Sequence, residues 1–416
     1  MSSPDLWLRH LALEHPMCPT EAVSRLAVVK DFQLRYKALS HRNCAPEVLQ
    51  EEARTGNDSL RLAVASNPQC PADLLVMLGE DPVAEIRAAV AANPSAAPDL
   101  LRRLAGDTVP AVVSTVAGNP GTPQETLDGF IHSEAEAVLE ALSANQACPP
   151  GLLETLAGSP RMGVCIAVGG NPSTPVSVLS HLLERGHDIV HKMEEAFGRT
   201  YLLYFSPPVV FLLQRLAANP ASPPEILTEL LTLASSRVRG SVALNPGCPV
   251  SILVELAEES DPRIRRGVAG NPVTPQETRH LLAVDPEPSV RLELARNKRC
   301  EPSVLELLAR DREGSVRLAA VENEGCPPAA IALLLTDNWR TVRLKALVHR
   351  ACFAGMVLEA ASQVCSSAYG REVTPILGDL AHHPDFPPFL RTMIVHNKGG
   401  SNFGYQGLRR PDALCR

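Results

Sequence analysis

Aromatic side chains are scarce, 4% of the 416 residues. Leu, Ala and Val carry most of the apolar content, which excludes a β-sandwich core built from aromatic and β-branched residues and suits closely stacked helices. No run of Lys or Arg appears, and the formal net charge is −7 with a pI near 6.0. That balance argues against non-specific nucleic-acid binding, in which basic groups neutralise phosphates. Long hydrophobic runs are missing too: the most apolar stretch, Tyr201 to Leu213, is broken by Pro207-Pro208 and is too short to span a bilayer. The opening residues MSSPDLWLRHLALEHP lack the charged start and apolar run of a signal peptide, so the expected location is cytoplasmic. There is no C-x-x-C, no Gly-rich phosphate loop and no nucleophile elbow.

What is present is a joint that recurs. Asn67-Pro68-Gln69-Cys70-Pro71 comes back as Asn171-Pro172-Ser173-Thr174-Pro175, Asn245-Pro246-Gly247-Cys248-Pro249 and Asn271-Pro272-Val273-Thr274-Pro275. With the first residue as anchor, the anchors are His15, His41, Asn67, Asn93, Asn119, Asn145, Asn171, Asn219, Asn245, Asn271, Asn297, Asn323 and His349. Each step is 26 residues except that from Asn171 to Asn219, which is 48. A fixed period of this size marks a repeat array, whose core runs continuously between neighbours. In each unit the apolar positions fall at helical spacing, as at Leu74, Leu75 and Leu78, and a second helix leads into the next anchor, as over 86–93. The anchor Asn is expected to end a helix in the left-handed conformation, with the following Pro preventing continuation. The small residue at anchor plus three is expected to open the next helix as its N-cap.

Eight of the eleven cysteines (Cys18, Cys44, Cys70, Cys148, Cys248, Cys300, Cys326 and Cys352) share that plus-three phase. Equivalent positions on successive repeats stand about 8–10 Å apart, beyond the ~7 Å limit for disulfide α-carbons and beyond shared zinc ligation. They read as small buried thiols, interchangeable with Thr or Ala.

Two polar phases also repeat. Arg lies six before the anchor at Arg35, Arg61, Arg87, Arg239, Arg265, Arg291, Arg317 and Arg343. Asp lies twelve before it at Asp81, Asp107, Asp285, Asp311 and Asp337, a place where it is expected to N-cap the second helix. The pattern predicts an Asp–Arg ladder along one face, with a positive strip for an anionic partner as the functional alternative. Val113, Leu139, Cys165 and Leu213 replace the Arg in the middle. This apolar window over about 107–219 is read as a contact surface for a partner.

The joint, the Leu-x-x-Leu-Ala helix and the closing Val-Arg-x-x-Val-Ala-x-Asn together resemble the leucine-rich repeat variant (LRV) proteins of bacteria. The Asp…Val-Arg pair is also similar to HEAT repeats. The resemblance covers about residues 15–350 and implies an all-α, right-handed helical solenoid (an LRV/HEAT-like superhelix) of about 26-residue helix-turn-helix repeats, usually with an interaction role. Some LRV proteins carry an iron–sulfur module with clustered Cys; this sequence has no such cluster, so no iron–sulfur centre is expected. The resulting organisation is an N-terminal cap at 1–14, repeats at 15–183, an insert at 184–207, repeats at 208–350, irregular capping repeats at 351–398 and a flexible tail at 399–416.

The insert, 22 residues beyond the period (48 − 26), carries Phe197, Tyr201, Tyr204 and Phe205, aromatics of the kind that anchor interfaces. With Arg199, and with Val113 and Leu139 of the window, Tyr201, Tyr204 and Phe205 form the expected partner-binding set. His187 and His191 are four apart, with Glu194 nearby, and on a helix would share a face able to ligate one divalent metal. Asp188 stands where the related H-E-x-x-H motif of metalloproteases carries Glu. Farther on, His382, His383 and His396 form a looser cluster, and Trp339 reads as packing or capping. The sequence therefore favours a non-catalytic scaffold for a protein or peptide, without a cofactor, a membrane or nucleic acid. The alternatives are a metal-dependent enzyme built on His187 and His191, and a HEAT-like nucleic-acid binder using the Arg ladder.

Overall fold

The computed structural model describes residues 9–10, 12–14, 17–197, 208–232, 235–352, 355–357 and 359–360. Most of the expected cap, together with Arg199, Tyr201, Tyr204, Phe205 and the C-terminal His cluster, lies outside them. Every regular element among the described residues is a helix. The chain divides into two compact units, 1–226 and 227–416, and each is an all-α solenoid of helix pairs.

In the third repeat the first helix, Ala72–Leu78, buries Leu74, Leu75 and Leu78; the second, Ala84–Ala92, buries Ile86, Val90 and Ala91. Neither helix is long enough to be stable alone in water, so burial of these faces sustains it. Second helices stack in order within each unit. Ala84–Ala92 packs on Pro110–Gly118 and that on Glu136–Ala144 in the first; Ser236–Leu244 packs on Pro262–Gly270 and that on Pro288–Arg296 in the second.

The joints work differently from the sequence expectation. The anchor Asn is extended, not left-handed: Asn93 has φ −70° and ψ 128°, Asn271 φ −73° and ψ 126°. Its conserved role within the array is carried by the side chain. Asn145 Nδ2 donates to Ala117 O at 2.8 Å and to Asn119 O at 2.9 Å, both in the preceding repeat. Its Oδ1 accepts the N–H of Ala147 at 2.8 Å, closing the local turn. The pattern holds at Asn67, Asn93, Asn119 and Asn171 in the first unit and at Asn271, Asn297 and Asn323 in the second. Each of these amides is buried. Asn219 reaches back across the insert to Gly169 O and Asn171 O at 2.8 and 2.9 Å, so the ladder passes over the long step unbroken.

The residue at plus three also differs from expectation. It does not N-cap the next helix: Thr122, Thr174, Ser222 and Thr274 donate their hydroxyls at 2.6 Å to the carbonyl six residues back, near the end of the helix just finished. The N-cap is the residue after it, Pro in many repeats, with no side-chain bond. Where plus three is Cys the side chain is unbridged, buried at seven positions and half-buried at Cys352. Burial pushes the thiols of Cys70, Cys300 and Cys326 up to about 12 and those of Cys44, Cys148 and Cys248 to about 11.

Asn145→Ala strands two buried carbonyls and should lower unfolding free energy by roughly 2–4 kcal/mol. Asn145→Asp should cost more, because a carboxylate would face two carbonyl oxygens. Urea titration followed by circular dichroism checks both, and a loss under about 0.5 kcal/mol in either, within the range of ordinary surface changes, contradicts the ladder's role.

Candidate functional site

Four features could serve as sites: the Arg ladder, the insert, an exposed apolar row and a charged cleft. In the ladder, Asp lies two residues ahead of the N-cap instead of serving as it. Asp81 Oδ1 accepts the N–H of Val83, the N-cap residue, at 2.9 Å. The carboxylate also takes a bidentate pair from the preceding repeat's arginine, Arg61 Nε at 2.7 Å and Nη2 at 3.2 Å. Arg87–Asp107, Arg265–Asp285, Arg291–Asp311 and Arg317–Asp337 repeat this with Nε–Oδ2 distances of 2.5–2.6 Å. Arg35 pairs with Glu52 and Arg239 with Glu259. The guanidinium groups of Arg61, Arg87, Arg265, Arg291 and Arg317 also hold their own repeat's turn, as Arg291 Nη1 does on Asp285 O at 2.6 Å; Arg343 Nη1 donates to Asp337 O at 2.7 Å.

These ladder arginines are therefore committed within the fold. The hydrogen bonds from Arg87 hold the Asp107 carboxyl below the usual carboxylate range, against the upward pull of burial. Burial pushes Asp81 and Asp311 upward, and the bonds from Arg61 and Arg291 with those from the turn N–H groups more than offset it.

In the Arg-free window, Leu139 and Cys165 are buried and Val113 is half-buried. Ser133 and Ser159 stand at the Asp phase and accept the turn N–H through their hydroxyls, both at 3.2 Å. Cys165 Sγ takes the inward place of an arginine, 3.3 Å from Ser159 O, and Arg185 Nη1 donates to Ala157 O at 3.0 Å. The face is thus largely filled inward; of the two window residues expected to touch a partner, Val113 retains partial exposure and Leu139 is 8% exposed.

The first helix of the insert's repeat continues as one 22-residue helix, Val176–Phe197, about 33 Å long at 1.5 Å per residue. It packs on Pro208–Ala218. A β-carbon on Gly186 would come within 2.8 Å of Leu213 Cδ2, so glycine permits that approach. His187 and Glu194 are half-buried; His191 is exposed, with Nε2 3.7 Å from Glu195 Oε1. Among the described residues no group of three or more His, Cys, Asp or Glu is arranged to hold a metal ion.

Two further features emerge only from the structure. Leu281, Leu307 and Leu333 stand ten past Asn271, Asn297 and Asn323 on three consecutive first helices, Gln276–Leu282, Pro302–Leu308 and Pro328–Leu334. They are 53%, 44% and 39% exposed, while the adjacent Leu282, Leu308 and Leu334 are buried. Helical leucines read as core until the repeat phase separates the two. The second is a cleft of about 330 Å³ lined by Arg296, Lys298, Glu322, Glu324 and Arg350. Its signal was the loss of Pro at anchor plus one. Trp339 lies over Gly314, whose α-carbon leaves room for the indole, in keeping with a packing role.

No family model matches the chain, and no curated protein matches it. Similar solved structures include an engineered protein, 15% identical with a TM-score of 0.21, the match covering 91% of each chain. Another is the Pds5–Scc1 complex, 11% identical, TM-score 0.27, covering 92% of this chain and 66% of that one. A third is importin beta in an ammonium sulfate condition, 11% identical, TM-score 0.27, covering 97% and 63%. The chain spans about two thirds of the length of the last two. No described helix is long and apolar enough to cross a membrane.

A carboxylate lowered in the fold contributes stability above its unfolded pKa near ~4, and that contribution is lost as pH falls through the folded value. The urea midpoint should therefore hold from about pH 7 to 5 and drop below about pH 4, with a shallower drop in Asp107→Asn. An identical acid limb in wild type and variant contradicts the assignment.

Proposed function

We propose that the chain is a non-catalytic scaffold that binds a protein or peptide, and that it is kin to the bacterial LRV proteins and works in the cytoplasm. The observation that carries the reading is the in-register row Leu281, Leu307 and Leu333, exposed on consecutive repeats. Exposed apolar side chains aligned at one phase form a contiguous strip, which an isolated surface leucine does not. At roughly 8–10 Å per repeat the strip matches the ~10.5 Å rise of seven helical residues. It suits a partner helix with apolar residues at every seventh position. The long helix Val176–Phe197 offers a second binding surface in the other unit. The commitment of the ladder arginines to carboxylates speaks against the nucleic-acid alternative.

The test starts from a partner recovered by cross-linking and repurified. Its affinity for wild type is compared with that for the triple variant Leu281→Lys/Leu307→Lys/Leu333→Lys and for a chain lacking residues 184–207. Each lesion should weaken binding at least about tenfold, the scale of one buried apolar anchor, with the triple variant's helicity and melting unchanged. Undiminished binding by both would refute the scaffold reading as framed.

A further inference from the structure

The edge where one repeat hands over to the next is uncharged from the third joint to the tenth: Pro68, Pro94, Pro120, Gln146, Pro172, Pro220, Pro246 and Pro272 occupy anchor plus one, with Arg42 before them. At the last three joints that position becomes Lys298, Glu324 and Arg350. Arg296 and Glu322, the final residues of helices Pro288–Arg296 and Gly314–Glu322, stand beside them. All five line the 330 Å³ cleft, with Asn323 of the amide ladder among its walls.

The charges in this cleft are not equally committed. Glu322 Oε1 is 3.1 Å from Lys345 Nζ. Arg350 donates from Nε and Nη2 to the backbone oxygen of Glu324 at 3.1 and 2.6 Å. Arg296 and Lys298 are exposed and make no hydrogen bond or ion pair among the described residues. Two cations of the same joint are thus left facing the cleft, with a carboxylate one repeat on and a further cation beyond it.

We propose that this cleft binds an acidic segment of a partner protein, an inference that rests on the scaffold reading and names a chemistry for one of its contacts. One peptide carboxylate lies between Arg296 and Lys298, a basic residue turns to Glu324, and a second carboxylate meets Arg350. The alternation selects a peptide over nucleic acid. A phosphodiester chain carries like charge at every step and would bring phosphates against Glu322 and Glu324. The spacing is also that of a peptide: a repeat step of about 8–10 Å equals about three residues of extended chain at ~3.3 Å each. The matched pattern is acid, base, acid at every third residue. The small volume, at the low end for ligand clefts, accommodates side chains one at a time and not a folded domain.

The probe is a fluorescein-labelled nonapeptide, Gly-Asp-Gly-Ser-Lys-Gly-Ser-Glu-Gly, titrated with the full chain by anisotropy at low ionic strength. Its charge-inverted counterpart, Gly-Lys-Gly-Ser-Asp-Gly-Ser-Lys-Gly, and labelled oligothymidylate are titrated alongside. The patterned peptide should bind about tenfold tighter than the inverted one, as expected when three exposed charge pairs change from attraction to repulsion. Lys298→Glu and Arg296→Glu/Lys298→Glu should remove that preference with unchanged melting, and the leucine triple variant should keep it. Equal affinity for the two peptides, an undiminished preference in the Glu variants, or tighter binding of oligothymidylate would each overturn the proposal. Should the cleft fail while the leucine variant still loses the partner, the scaffold reading stands without this contact; should the cleft preference hold while the leucine variant and the chain lacking residues 184–207 both keep the partner, the leucine row and the insert are removed as contacts and the cleft is the one that stands.

Discussion

A single side-chain amide, placed once per repeat, joins each turn of the solenoid to the one before. The anchor Asn donates both amide hydrogens to carbonyls of the preceding repeat and accepts a backbone N–H from its own turn. Those carbonyls belong to the end of a second helix and to the preceding anchor, groups a short helix leaves unsatisfied. Their burial demands a partner, and the amide supplies one with a reach fixed by its three bonds from the backbone. The repeat length is thereby constrained, because an anchor displaced by one residue would leave its carbonyls unpaired. His41 and His349 show which chemistry matters: His349 accepts the N–H of Ala351 at Nδ1 and places Nε2 3.2 Å from Asn323 O, as an amide would. His41 likewise accepts the N–H of Asn43 at Nδ1.

The ladder also explains where function can lie. The amides and the Arg–Asp pairs hold neighbouring repeats together, the hydroxyls close the joints and the thiols are packed inside them, so recognition falls to residues that the period does not require. The 22-residue excess between Asn171 and Asn219 is one such freedom: the chain leaves as a prolonged first helix, and Asn219 still finds the same two carbonyl positions. The outward leucines of the second unit are another, as is the replacement of Pro by Lys298, Glu324 and Arg350 at the joint edge. All three can change without breaking a rung.

The period, the helix pairs and the buried fate of the cysteines could be read from residues alone, because recurrence at one spacing averages out local ambiguity. The job of each recurring residue was harder to read. Asn before Pro is consistent with a left-handed helix end and with an extended, side-chain-bonded one; only the position of the preceding repeat distinguishes them. Asp81 stands beside a helix start without being its cap; a carboxylate bonding the N–H two residues on has the same sequence pattern as an N-cap. Its partner Arg61 comes from the repeat before, a relation that spacing permits and does not select. Leu281 and Leu282 are adjacent leucines on one helix, and packing alone determines that the first is exposed and the second buried. The contacts expected of Arg199, Tyr201, Tyr204 and Phe205 lie outside the described residues.

The most direct test of the amide ladder is side-chain hydrogen exchange in protein labelled with ¹⁵N at asparagine. Both Nδ2 hydrogens of Asn93, Asn145 and Asn297 should exchange as slowly as core backbone amides, while those of the exposed Asn338 exchange within the dead time. Fast exchange at the three buried anchors, comparable with Asn338, would contradict the claim that these amides tie the repeats together.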